Sequence, residues 1–349
     1  MRYLSRENVE DVLCGATLLG AGGGGSPGPA LKLLNELFAK INKIEMVDVG
    51  EVKESGKAIV SAGMGSPEVL LKEGWKGQQV VAFERAEQMF GKIDYVLPVE
   101  TGGFNTFTAM QTAGIEHKKL VDGDGVGRAI PELEQTTYYL HGVSSSPTIL
   151  ADWQGNSAVI YPNDAYMAEN MGRALTTIFN MAAGIAMFYM DGKKVKESTV
   201  AGAISLAERV GRVIRETKES KGDVVAAALR EIDGKLLAKG VITKKVVEVK
   251  GGFDFGRIYV GGIVVDYKNE NMIAWKNDKP IAMVPDSICW LTTDGTPLTN
   301  ADIKEGLEVA VIGKKANPMF RTKEAFGTFK HILEKLGYKG DFKRIEDLK

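Results

Sequence analysis

The sequence is poor in residues that announce chemistry on their own. Two cysteines, Cys14 and Cys289, stand far apart among 349 residues and outside any metal-ligand spacing. That spacing excludes a disulfide scaffold and a cysteine-rich zinc module, and it points to a reducing cytoplasm. The three histidines, His117, His141 and His331, form no HxxxH or HxH pair. A histidine zinc centre is therefore not expected, while a carboxylate site for a harder divalent ion stays open. Neither charge sign dominates: 44 Lys and Arg face 45 Asp and Glu, a net charge of -1. Such a chain has no long-range field for a polyanion, so nucleic acid is not an expected partner. Long apolar runs are lacking as well. The opening Met1-Arg2-Tyr3-Leu4-Ser5-Arg6 is charged early and has no signal-like core, and the most apolar stretch, 178–190, is interrupted by Asn180. It is too short to span a bilayer, and no membrane segment is expected.

Glycine is abundant instead, at 41 residues, gathered at 20–28, 63–77, 102–127 and 251–262. Glycine lets a chain turn tightly or approach a neighbour closely. In the first half, apolar periodicity and capping residues predict alternating elements. Helices are expected from Arg6 to about Leu19, up to about Ile41, over Val80–Phe90 and Asn105–Ala113, and from Pro131 to about Leu140. Strands are expected at Ile44–Val49, Ala58–Ala62, Tyr95–Val99 and Lys119–Val121. Strand–helix alternation of this kind predicts an α/β fold whose mostly parallel sheet has helices on both faces. Three of these strands run into glycine-rich loops, and in open α/β sheets ligands bind beyond the carboxyl ends of strands.

After residue 165 the pattern changes. Helices are expected from Asn163 or Asp164 to about Ala183, over Thr199–Lys218 and over Asp223–Ile232. Short apolar runs then fill 236–313, which predicts a small β-barrel or sandwich, and a helix from Thr322 to Leu336 closes the chain. The expected organisation is an α/β domain over 1–165 and a C-terminal α+β domain over 166–349.

The densest group of chemistry-bearing residues is Asp122-Gly123-Asp124-Gly125-Val126-Gly127-Arg128-Ala129-Ile130-Pro131-Glu132. Three carboxylates and a guanidinium beside uncovered backbone amides can hold a water, activate it and bind an anionic substrate group. Turn formation explains the Asp-Gly repeats equally well, and an EF-hand calcium loop would need ligands this segment lacks. Glu100-Thr101-Gly102-Gly103-Phe104-Asn105 comes second: a strand end followed by a helix start makes an amide-rich pocket, although a plain helix cap is the simpler account. Ser66, in Gly63-Met64-Gly65-Ser66-Pro67, is a candidate hydrogen-bond donor, but no GxSxG elbow surrounds it. Gly22 to Gly25 is neither a phosphate loop nor a dinucleotide fingerprint, since it follows a helix and is not followed by GK[ST]. His141 is an outside candidate for the pocket. Glu169 and Arg173 are explained by pairing along one helix.

Taken in order, LGAGGGGSP, GMGSP, ETGGFNT, DGDGVGRAIPEL and DGTPLTNADIKEGLEVAVIG resemble the S-methyl thiohydantoin desulfurase family, whose members accompany hydantoinase and oxoprolinase proteins. The likeness runs from about Leu4 to about Leu336. It implies an N-terminal three-layer α/β domain, a C-terminal part with a β-barrel, and hydrolysis of a five-membered cyclic substrate in which water replaces an S-methyl group. On that chemistry Asp122 or Asp124 would be the base. Gly102, Gly103 and Gly125 would offer amides to developing charge, Arg128 would hold a substrate carboxylate, and Glu132 would position Arg128 or protonate the leaving group. Glu100, Asn105 and Ser66 would line the pocket. No cofactor is expected, with a metal-assisted amidohydrolase and a non-catalytic subunit of a hydantoinase-like complex as alternatives. A small-molecule substrate is expected, and a homodimer is the prior expectation for the assembly.

Overall fold

The computed structural model describes residues 1–65 and 74–348; Ser66 lies outside them. The strands of the first sheet are β1 (Arg2–Leu4), β2 (Ile44–Asp48), β3 (Lys57–Gly65), β4 (Tyr95–Leu97), β5 (Lys119–Asp124), β6 (Thr148–Ala151), β7 (Ser157–Ile160), β8 (Ala182–Asp191) and β9 (Val200–Ala201). Those of the second are β10 (Lys235–Lys250), β11 (Phe253–Val260), β12 (Ile263–Lys268), β13 (Glu270–Lys276), β14 (Lys279–Met283), β15 (Ser287–Thr292), β16 (Pro297–Leu298) and β17 (Glu308–Lys314). The helices used below are α1 (Arg6–Leu19), α2 (Pro27–Phe38), α3 (Gln78–Phe90), α4 (Asn105–Ile115), α5 (Thr137–Leu140), α6 (Ala165–Thr176), α7 (Gly192–Ser198), α8 (Ala203–Glu219), α9 (Val224–Glu231) and α10 (Lys323–Lys335).

The first sheet has the order β1-β2-β5-β4-β3-β8-β6-β7, with β9 paired to the end of β5. Its centre, β2-β5-β4-β3, is parallel. Antiparallel strands extend it on both sides. Alternation along each strand feeds two cores, as the period of two requires. Ile59, Val96 and Leu120 face α1, α2, α3, α4 and α8. Val60, Leu97 and Val121 face α6 and α7. Three layers result.

Two strands of this sheet, β8 and β9, come from beyond residue 165, so the sheet crosses the expected domain boundary. The helix expected to run to Ala183 stops at Thr176, and β8 starts at Ala182. Nor does Pro131 open a single helix: a short 3-10 turn over Leu133–Gln135 precedes α5. Strands β6 and β7 are not marked by the sequence pattern, because four-residue runs carry little periodic signal.

The second sheet is antiparallel, in the order β14-β13-β12-β11-β10-β17-β15-β16. The 16-residue β10 serves both arms: its first half pairs with β17 and its second half with β11. Ile288 and Trp290 of β15 point into an interior shared by both arms, whereas Cys289 and Leu291 pack against the α1 side of the first domain. Helix α10 covers β13 and β14 and reaches the 126–130 segment, so it does pack back on the first domain.

Helices α1 and α8 cross closely enough to require glycine on both. A Cβ on Gly15 would lie 1.9 Å from the Ala207 carbonyl oxygen, and one on Gly211 would lie 1.8 Å from that of Asp11. Gly15→Ala is expected to force the helices apart at a cost of about 1–3 kcal/mol. Urea unfolding measures this; an unchanged midpoint would mean that the contact yields freely.

Candidate functional site

The cavity of about 280 Å³ lies where the two sheets meet. Its walls come from the Gly22–Ser26 loop after α1, the end of β3, the loop after β4, the segment 130–133, helix α6, the β10–β11 hairpin and the 299–301 loop. The carboxyl ends of the parallel strands β3 and β4 open onto it, as the topology requires. Trp75, Phe104, Met64 and Val99 make one side apolar. Trp75 meets Phe104 edge-on, with ring centroids 5.1 Å apart.

Three buried carboxyls line this cavity: Glu169, which pairs with Arg173, and Glu100 and Glu270. Glu100 follows β4. Its Oε1 accepts from Asn105 Nδ2 at 2.8 Å, and its Oε2 accepts from the Ile130 amide at 2.8 Å. Glu270 opens β13. Its Oε1 accepts from the Gly24 amide at 3.4 Å, and its Oε2 has no partner among the described residues. Burial pushes the Glu100 pKa up, and the charge of Glu270 adds to that; the bonds from Asn105 and Ile130 oppose both. Burial also raises Glu270, while the positive charge of Arg128 counteracts it. Two neighbouring carboxyls out of water resist ionising together.

The Gly22–Gly25 loop makes this arrangement possible. Gly22, Gly24 and Gly25 have positive φ, and a Cβ on Gly23 would lie 2.0 Å from Glu270 Oε1. The Gly24 carbonyl accepts from the Phe104 amide at 2.8 Å and the Gly22 carbonyl from the Asn300 amide at 2.7 Å, so the loop ties the two domains together. Gly102 and Gly103 pack behind it, with the Gly102 amide bonded to Thr106 Oγ1 at 3.0 Å.

Several residues expected in the site lie elsewhere. Asp122 is buried and caps helix α8: its Oδ1 accepts from the Ser205 amide at 2.9 Å and its Oδ2 from the Ser205 hydroxyl. A carboxylate there suits the positive end of a helix. Asp124 is buried as well and accepts from the Val126 and Gly127 amides and from the Thr101 hydroxyl, which locks the loop that carries Glu100. Burial raises its pKa to about 6 against those bonds. Neither aspartate lines the cavity. Gly125 is sealed by backbone bonds to Val99 and Thr137 and offers no free amide. Arg128 is fully enclosed and donates to the carbonyls of Ala129, Asp286 and Asn271 at 2.8–2.9 Å, pinning the second sheet to the first. Arg128 does not line the cavity. His141 bonds to the Thr137 carbonyl outside the cavity.

Glu132 does line the cavity, but Lys268 and His331 engage it. Burial would raise its pKa, and the bonds from His331 and Lys268 outweigh that and lower it. Among the described residues, Glu132, Glu134 and His331 are the one group able to hold a metal ion, with ligand atoms within 4.8 Å of one another. The ion pair with Lys268 competes for Glu132 there. Asn105 lines the cavity as expected, and Glu169 and Arg173 pair at 2.6 Å while also lining it. Glu270 went unnoticed in the sequence. Its only trace there is the polar run Lys268-Asn269-Glu270-Asn271 between two apolar strands.

A three-layer α/β domain joined to an antiparallel β domain, with a carboxyl-lined cavity at their junction, defines a two-domain class of protein. The chain belongs to the S-Me-THD-like family: residues 7–162 match its N-terminal domain and 163–343 its C-terminal domain. Among solved structures, the chain is similar to the crystal structure of a Chromobacterium violaceum protein, a structural-genomics target. The two are 28% identical with a TM-score of 0.87, covering 99% of this chain and 100% of the other. No curated protein matches the chain. No helix among the described residues is long and apolar enough to cross a membrane.

A carboxyl whose pKa is raised on folding adds stability below its unfolded value near 4.5, and that stability is lost as pH rises through the folded value. Glu270→Gln is therefore expected to raise the melting temperature more at pH 8 than at pH 5. An equal change at both pH values would show that Glu270 keeps an ordinary pKa.

Proposed function

We propose that the chain is a cytoplasmic hydrolase for a five-membered cyclic amide or thiohydantoin-like substrate held in this cavity, with Glu100 and Glu270 as its acid–base pair. The observation that carries the reading is the neighbouring burial of these two carboxyls at the cavity wall, which favours one protonated and one ionised group near neutral pH. Membership of a thiohydantoin-related family supports the ring chemistry. The apolar side formed by Trp75, Phe104 and Met64 suits a thioether substituent. The two unpaired cysteines suit a reducing compartment.

In the proposed reaction the ionised carboxyl takes a proton from water, whose oxygen bonds to the ring carbon between the two nitrogens. The carbon–sulfur bond then breaks, and the protonated carboxyl supplies the departing methanethiolate with its proton. The second water proton ends on the ring nitrogen, leaving a hydantoin and methanethiol. Glu270 is the proposed base, since Arg128 favours its ionised form; Glu100 is the proposed acid.

Methanethiol release from an S-methyl thiohydantoin, followed with a thiol reagent, tests this. Glu100→Gln and Glu270→Gln are each expected to lower kcat by about 10²–10⁴-fold with the fold intact. Asp122→Asn is expected to weaken the α8 cap by about 1 kcal/mol and leave kcat within a few-fold. Full turnover in both glutamine variants would overturn the acid–base pair. A chelator should not affect the rate; loss of activity that zinc or manganese restores would instead favour a metal-assisted route through Glu132, Glu134 and His331.

A further inference from the structure

The cavity's hydrogen-bonding groups are unevenly used. Gly24 spends its amide on Glu270, and Asn105 spends an amide hydrogen on Glu100. Asn300 Nδ2 donates to the Asn269 carbonyl at 2.7 Å. Arg173 pairs by charge with Glu169 and donates Nη1 to the Gly252 carbonyl, and Lys245 donates to the carbonyls of Asn300 and Ile303. Most of these donors are thus committed to the protein. Glu270 Oε2, a carboxylate oxygen on a residue only 4% exposed, is not. A buried acceptor without a donor costs about 1–3 kcal/mol, and more when charged, so a ligand that supplies N–H groups and positive charge removes a standing penalty.

We infer that the site takes basic rings of the cyclic amidine type, cyclic guanidines as well as isothioureas, bound through N–H donors to Glu270 and Glu100. This inference rests on the cavity and its carboxyls as read above, and it extends the reaction to a second leaving group. A protonated cyclic guanidine presents a ring N–H and an exocyclic N–H side by side, the geometry that carboxylates accept best. Its positive charge pairs with the ionised carboxyl. Hydantoin, the hydrolysis product, is uncharged and turns carbonyl oxygens toward the same acceptors. Ring charge therefore separates what binds from what leaves.

The same proton movements release nitrogen in place of sulfur. Water adds its oxygen to the guanidinium carbon and gives one proton to the ionised carboxyl. The protonated carboxyl delivers its proton to the exocyclic nitrogen, and the carbon–nitrogen bond breaks. The hydroxyl proton on the ring carbon goes to the departing ammonia, which leaves as ammonium, and a hydantoin remains. Passage of the captured proton from one carboxyl to the other restores the pair.

Calorimetric titration of the full chain with glycocyamidine, the cyclic guanidine analogue of hydantoin, and with hydantoin tests the inference in the unmodified protein. Glycocyamidine is expected to bind roughly tenfold or more tightly, a preference that Glu270→Gln removes, and ammonium is expected to accumulate. Equal or tighter binding of hydantoin by the wild-type protein overturns the inference even if methanethiol is released from the thioether substrate. Preference for glycocyamidine without methanethiol release overturns the thioether reading and leaves this one standing.

Discussion

The structure depends on a close approach between backbone and a buried carboxyl. The Gly22–Gly25 loop passes between helix α4 and strand β13 with room for hydrogen atoms only: Gly23 leaves no space for a Cβ beside Glu270, and Gly24 none beside Gly102. Side chains at these positions would wedge the domains apart. Their absence lets one loop bond to Phe104 on one side and Asn300 on the other.

The polar residues around the seam divide into those that hold it and those that face ligand. Asp122, Asp124 and Arg128 hold it. Each is buried with its bonding capacity turned toward protein: a helix cap, a loop lock and a three-carbonyl tie between sheets. Arg128 also acts at a distance: its charge eases ionisation of Glu270, while its three hydrogen bonds go to backbone carbonyls. Glu100 and Glu270 face the cavity, and their burial makes their protonation responsive to whatever enters.

Much of the fold was legible from periodicity. The parallel strands at Ile44, Ala58, Tyr95 and Lys119 and the helices between them are set by alternating and 3.6-residue patterns, and the Thr322–Leu336 helix by its cap and stripe. The site was legible in place more than in person. Strand-end loops after β3 and β4 do meet at one edge, and Glu100, Asn105 and Glu132 lie on it. Asp122 and Asp124 looked catalytic because two carboxylates beside glycines suggest an exposed loop. In the structure they end a strand whose side chains point into protein.

The sequence by itself determined much of the local geometry: where the longer strands and helices form, where glycine permits tight passage, and that the chain resembles one family across nearly its whole length. Those are properties of neighbours in the chain, governed by sterics and short-range patterning. Only the tertiary structure decided which carboxylates meet. Glu100 and Glu270 are 170 positions apart in the chain, and their pairing arises from docking two sheets across the glycine loop. Burial, and with it the shift in protonation, is a property of that docking and has no one-dimensional signature.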